Sequence, residues 1–155
     1  MKHISILLPK EEAALGCIEN PHKLYNQVNS LVQVLKQRLV YKVQLVGIDK
    51  YPKKYGGVVS VQPDITINDI VKTDLIIIPR INSFQKSSVE LIRDFYPWIV
   101  KHYRSGAKVA SLCEGVLFWL LPVCLKGVYS TQKEHDQNIS EPYFVMESYG
   151  LATND

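Results

Sequence analysis

The chain has 155 residues, of which 46% are hydrophobic and 21% charged, and its formal net charge is +3. These values fit one soluble globular domain with a core that needs no covalent staples. Lysine and arginine are scattered, with a single tight cluster at Lys50, Lys53 and Lys54, too little to mark a nucleic-acid surface.

The opening MKHISILLPKEE has too short an apolar core for a secretory signal, and an acidic pair follows at once. His3 to Leu8 reads instead as a strand buried on both faces, closed by Pro9 and Lys10. Asn20 and Pro21 have the chemistry of a helix start. Leu24, Val28, Leu31 and Leu35 then recur at helical spacing, which predicts a helix from 21 to about 38 with those residues on the core. Tyr41 to Ile48 alternates as a strand does, and Gly56 to Asp64 reads as a short exposed strand between turns.

Asp74 to Pro79 is a second continuous apolar strand. Ser88 to Tyr103 predicts a helix with Ile92, Phe95, Ile99 and Tyr103 on its apolar face and a kink at Pro97. Ser105 and Gly106 supply its stop, and Lys108 to Cys113 is a third buried strand feeding directly into helical sequence. Val116 to Leu125 is the longest apolar run, well short of the roughly 18 residues a bilayer span needs, so no membrane segment is expected. The main domain is expected over 1–137, with a weakly structured tail over 138–155 whose one apolar segment is Tyr143 to Met146. Apolar strands alternating with amphipathic helices predict an α/β fold with a mainly parallel sheet covered on both faces.

Cys17, Cys113 and Cys124 are far apart and odd in number, which suits a reducing cytoplasm and offers neither a disulfide framework nor a zinc signature. His3, His22 and His102 share no ligand spacing and read as surface or strand-end residues; no metal and no cofactor is expected. Trp98 and Trp119 fit helix core positions.

Cys113 has a distinctive address. A residue at the C-terminal end of a parallel strand, entering a helix, lies where ligands bind and where helical N–H groups favour a thiolate; Gly115 lets the turn be tight. A packed core cysteine is the competing reading, since cysteine is among the most often buried residue types.

The order of motifs, ISILLPKxxAALGxIENP, then IIIP, then GAKVASLCxG, resembles the ThiJ/PfpI family of class I glutamine-amidotransferase-like domains, and within it most of all the N-terminal domains of AraC-type transcription regulators. The likeness covers residues 1 to 115. It implies a flavodoxin-like three-layer sandwich, a cysteine on a nucleophile elbow at Cys113, and a homodimer; relatives include amidases, hydratases, glyoxalase-like enzymes and non-catalytic ligand sensors. It also implies a carboxyl near the cysteine, for which Glu19 is the candidate. A second reading of Glu19 is an acid that complements the helix dipole.

Departures from the pattern weigh against catalysis. Where active relatives carry a histidine base, this chain has Ser130, Thr131, Gln132 and Lys133, and His135 lies in a polar stretch. Arg80 stands where many members have glycine and is a candidate anion clamp, while Glu114 beside the thiol opposes thiolate formation. Past Gly115 the likeness fails, although an offset reading of the degenerate codons for VLFWLLPVCLKG can yield a sequence very close to the family's helix, so the C-terminal part is expected to be frameshifted or truncated. The regulators' DNA-binding domain has no counterpart here. The expected function is a non-catalytic ligand-sensing or dimerisation module that binds a small molecule or its own copy and reads no DNA sequence; a cysteine-dependent hydrolase, as an amidase, isonitrile hydratase or glyoxalase-like enzyme, is the alternative.

Overall fold

The computed structural model describes residues 1–10, 13–55, 57–81 and 93–112, and the backbone of 143–146. Its strands are β1 (Lys2–Leu7), β2 (Tyr41–Gly47), β3 (Lys53–Tyr55), β4 (Val59–Val61), β5 (Ile65–Thr66), β6 (Leu75–Ile78), β7 (Lys108–Leu112) and β8 (Tyr143–Met146). Its α-helices are α1 (Leu15–Val34) and α2 (Tyr96–Arg104). Six strands form one sheet in the order β5-β2-β1-β6-β7-β8, while β3 and β4 make a separate antiparallel ribbon. Every pairing in the large sheet is parallel except β7 with β8. The four strands read from the sequence at 3–8, 42–47, 75–79 and 108–112 therefore share one mainly parallel sheet, and the fold is α/β.

β1 is central, and its side chains divide the core. Ile4, Ile6 and Leu8 join Cys17 and Ile18 of α1, Ile77 and Leu112 on one face. Leu7 joins Ile76, Ile78, Val109 and, from α2, Trp98 and Ile99 on the other. A strand covered on both sides has no room for polar alternation, which is why β1 and β6 are continuously apolar. The polar exception is satisfied: buried Ser5 donates its hydroxyl to Thr73 Oγ1 at 2.9 Å, and Thr73 donates to the His3 carbonyl at 3.2 Å.

α1 departs from expectation at both ends. It begins at Leu15, six residues before the predicted start, and Pro21 lies inside it. Its first turn carries Cys17 and Ile18 into the core beneath β1, a burial that offsets the backbone bond Pro21 cannot donate. The predicted core row is also displaced. Leu24, Leu31 and Leu35 are 57%, 60% and 60% exposed, whereas Tyr25 packs edge-on against Tyr41 with ring centroids 4.9 Å apart. Asn29 locks the helix to β2, donating from Nδ2 to the Tyr41 carbonyl at 2.7 Å and accepting the Tyr41 N–H at 3.0 Å.

α2 starts at Tyr96 after a 3-10 turn, Arg93–Phe95, so Pro97 sits in the first turn, where its missing N–H costs nothing, and no kink is needed. The rest of the predicted helix, 88–92, lies outside the described residues. Ser105 caps α2, and Gly106, at φ 93°, takes the left-handed turn into β7. Of the tail, Tyr143–Met146 forms β8, and the other residues of 138–155 lie outside the described residues.

Asp74 fastens β6 to β1: its carboxylate accepts the His3 N–H at 2.8 Å and the Lys2 ammonium at 3.2 Å. The His3 bond, with the Lys2 charge, holds the Asp74 carboxyl below the usual aspartate range. A lowered folded pKa gives stability that is complete above the unfolded value of about 3.9 and is lost as pH falls through the folded value. Asp74→Asn is expected to destabilise the fold by about 1 kcal/mol at neutral pH. Urea midpoints followed against pH should show the gap between the two proteins closing in acid, and a gap of constant size would contradict this role.

Candidate functional site

The C-terminal ends of β1, β6 and β7 converge at one edge of the sheet, the position where parallel α/β sheets bind ligands. The loops after β1 and β6 are tied there: Ala13 bridges Ile81, and the Ala14 N–H donates to the Arg80 carbonyl at 2.8 Å. The β3–β4 ribbon is anchored to the same edge through Tyr55, which is 1% exposed and donates its hydroxyl to the Pro9 carbonyl at 3.1 Å. Burial pushes the Tyr55 phenol up, so it stays a neutral donor.

Arg80 is exposed at the end of β6, its backbone fixed by Ala14. Glu19 lies in the second turn of α1, its side chain 46% exposed and paired with Lys23, while its neighbours Cys17 and Ile18 face the sheet. Cys113, Glu114 and Gly115, which follow β7 directly, lie outside the described residues, as do Cys124, Trp119 and His135. Among the described residues, no group of three His, Cys, Asp or Glu side chains could hold a metal ion.

Ion pairs ring this edge. Lys10 meets Asp94 at 2.8 Å, and Lys53 meets Asp49 at 2.6 Å. The Lys53 bond, helped by the Tyr51 N–H, holds Asp49 below the usual carboxylate range. Lys53 is only 9% exposed, so the cluster with Lys50 and Lys54 is not a basic patch.

Trp98 is in the core as expected, whereas the burial of His102 and Ser111 escaped the sequence reading. The Trp98 indole nitrogen, His102 Nε2 and Ser111 Oγ are buried without hydrogen-bond partners among the described residues. His102 was expected at the surface or a strand end; it is 3% exposed on α2, with its ring centroid 4.5 Å from that of Trp98. Its spacing of four residues from Trp98 was the available signal, since that places both on one helical face. Ser111 was visible as a lone hydroxyl in an apolar strand.

No family model matches this sequence, and neither does any curated protein. Solved structures do. A ThiJ/PfpI family protein from Pseudomonas syringae superposes with a TM-score of 0.58 at 13% identity, over 75% of this chain and 43% of that one. The fold is that of the ThiJ/PfpI proteins. A protein from Vibrio parahaemolyticus, assigned as a transcriptional regulator, matches with a TM-score of 0.56 at 17% identity, over 70% of this chain and 54% of that one. A two-domain protein from Anabaena variabilis, with DJ-1/ThiJ/PfpI-like and ferritin-like domains, matches with a TM-score of 0.53 at 20% identity, over 74% of this chain and 30% of its own. The chain thus spans about half or less of the length of these structures. The sandwich implied by the sequence resemblance is the one observed.

Burial, then the Lys101 charge, lower the His102 pKa, so the ring is neutral in the fold. The unfolded chain, with a histidine pKa of about 6.5, binds the proton first, and stability falls as pH drops from there through the folded value. His102→Phe should flatten this part of the curve of melting temperature against pH. An unchanged slope would show that the His102 ring takes up its proton without opening the core.

Proposed function

We propose that this chain is a ThiJ/PfpI-type ligand-sensing or dimerisation module, related to transcription regulators, that does not turn over substrate. The observation that carries this reading is the sequence Ser130-Thr131-Gln132-Lys133 in place of the histidine that active relatives use as a base. A small anion is the favoured ligand class, held by Arg80 at the end of β6 and by backbone N–H groups beyond β7, with Cys113, Glu114 and Gly115 at the same address and Glu19 as a vestigial partner. The working form is a cytoplasmic homodimer, and the chain reads no DNA sequence because it offers no recognition element.

Reactivity and turnover separate this module from a cysteine-dependent hydrolase. Iodoacetamide at neutral pH is expected to label Cys113 faster than Cys17, which is buried, or Cys124, and Cys113→Ser should abolish the fast phase with the fold intact. Hydrolysis of amide and isonitrile substrates should stay at background for both proteins. Turnover that Cys113→Ser stops would establish the hydrolase instead, and equal labelling of all three thiols would make Cys113 a core residue.

A further inference from the structure

α1 is longer than the sheet it covers. Asn29 is bonded to both backbone groups of Tyr41, the first residue of β2, so residues 30–34 carry the helix about 7.5 Å past the edge where the parallel strands begin. The overhang ends in a paired cap: the Lys36 N–H donates to the Gln33 carbonyl at 2.9 Å and the Gln37 N–H to the Val32 carbonyl at 2.8 Å. The residue in the left-handed position of this cap, where glycine fits without strain, is Lys36, at φ 55°. Beside it Val34 and Leu35 are 79% and 60% exposed, and Leu39 is exposed as the chain returns to β2. We propose that this α1–β2 corner, with the basic edge behind it, docks on an anionic lipid bilayer: Val34, Leu35 and Leu39 enter the headgroup boundary while Lys36, Arg38 and Lys42 meet the lipid phosphates.

Topology gathers here the charge that the sequence scatters. Both helices run back against the parallel strands, so helix ends and strand starts share one edge. Lys2 and Lys42 stand at the starts of β1 and β2, Lys72 leads into β6, and Arg104 ends α2, all of them exposed. Among the described carboxylates only Asp74 lies at this edge, and it is engaged by Lys2 and the His3 N–H. Basic groups at a helix C-terminus complement its dipole, which accounts for Lys36, Arg38 and Arg104 but not for lysines at strand starts. The mixture of side chains selects the partner. A nucleic acid would take the charges and leave Val34, Leu35 and Leu39 in water, and a second copy would set lysine against lysine. An anionic bilayer takes both, since apolar side chains sit about 5–10 Å into its headgroup region and each lysine or arginine gains from its surface potential. Such a contact is peripheral and needs no membrane-spanning segment.

Co-sedimentation of the full chain with lipid vesicles tests this, all variants being compared where melting curves show them folded. Vesicles of equal parts phosphatidylglycerol and phosphatidylcholine should retain the chain, and vesicles of phosphatidylcholine alone should not. Lys36→Gly, which suits the left-handed cap better than lysine does, and Arg38→Gln should each weaken binding about fivefold without lowering the melting temperature. Leu35→Ser and Leu39→Ser should weaken binding to the same vesicles and leave retention on immobilised heparin unchanged. The proposal is overturned if the mixed vesicles do not retain the chain, if phosphatidylcholine alone retains it equally, or if the two basic-residue variants bind as the parent does. It is equally overturned if those two bind more weakly while both serine variants match the parent, which would make a polyanion such as a nucleic-acid backbone the partner.

Discussion

β1 is the strand on which the rest of the molecule depends. It pairs in parallel with β2 on one side and β6 on the other, and Ile6, Leu7 and Leu8 are completely buried. Parallel neighbours cannot be joined by a tight hairpin, so each must be reached by a crossover that lays chain across a face of the sheet. Burial on both faces demands that those crossovers be amphipathic, and α1 and α2 answer that demand from opposite sides. The same arrangement brings the loops after β1 and β6 together and delivers β7 to the edge where they meet, so the candidate site follows from the topology.

The parts legible in the sequence were those governed by burial alone. Ile4 to Leu8, Leu75 to Ile78 and Lys108 to Leu112 read as strands because a doubly covered strand leaves an unbroken apolar run. The errors arose where two local signals competed with packing. Asn20-Pro21 looked like a helix start, but Cys17 and Ile18 gain more by continuing the helix backwards beneath β1 than the proline costs. Leu24, Leu31 and Leu35 kept a helical period on the shoulder of α1, and periodicity states that a face is apolar without stating what covers it. His102, expected at the surface or a strand end, is buried against the aromatic ring of Trp98, and Lys53, read only as part of a basic cluster, is buried against Asp49.

At the site, the sequence supplied an address and a set of candidates, and the structure supplies their frame. Arg80 is pinned through its carbonyl, Tyr55 fastens the β3–β4 ribbon over Pro9, and Glu19 is engaged by Lys23 on an outward-facing turn. The module proposed above would need a rigid rim and a reactive or anion-binding position, and it would need no base within reach of the thiol.

Intact-mass spectrometry of the purified chain under limiting iodoacetamide, with conversion of an α-oxoaldehyde followed in a parallel sample, tests the central claim of reactivity without turnover most directly. The account predicts one adduct per chain, mapped to Cys113 and absent in Cys113→Ser, with no product beyond the uncatalysed background. Product accumulating to many equivalents per chain, and lost in Cys113→Ser, would contradict it.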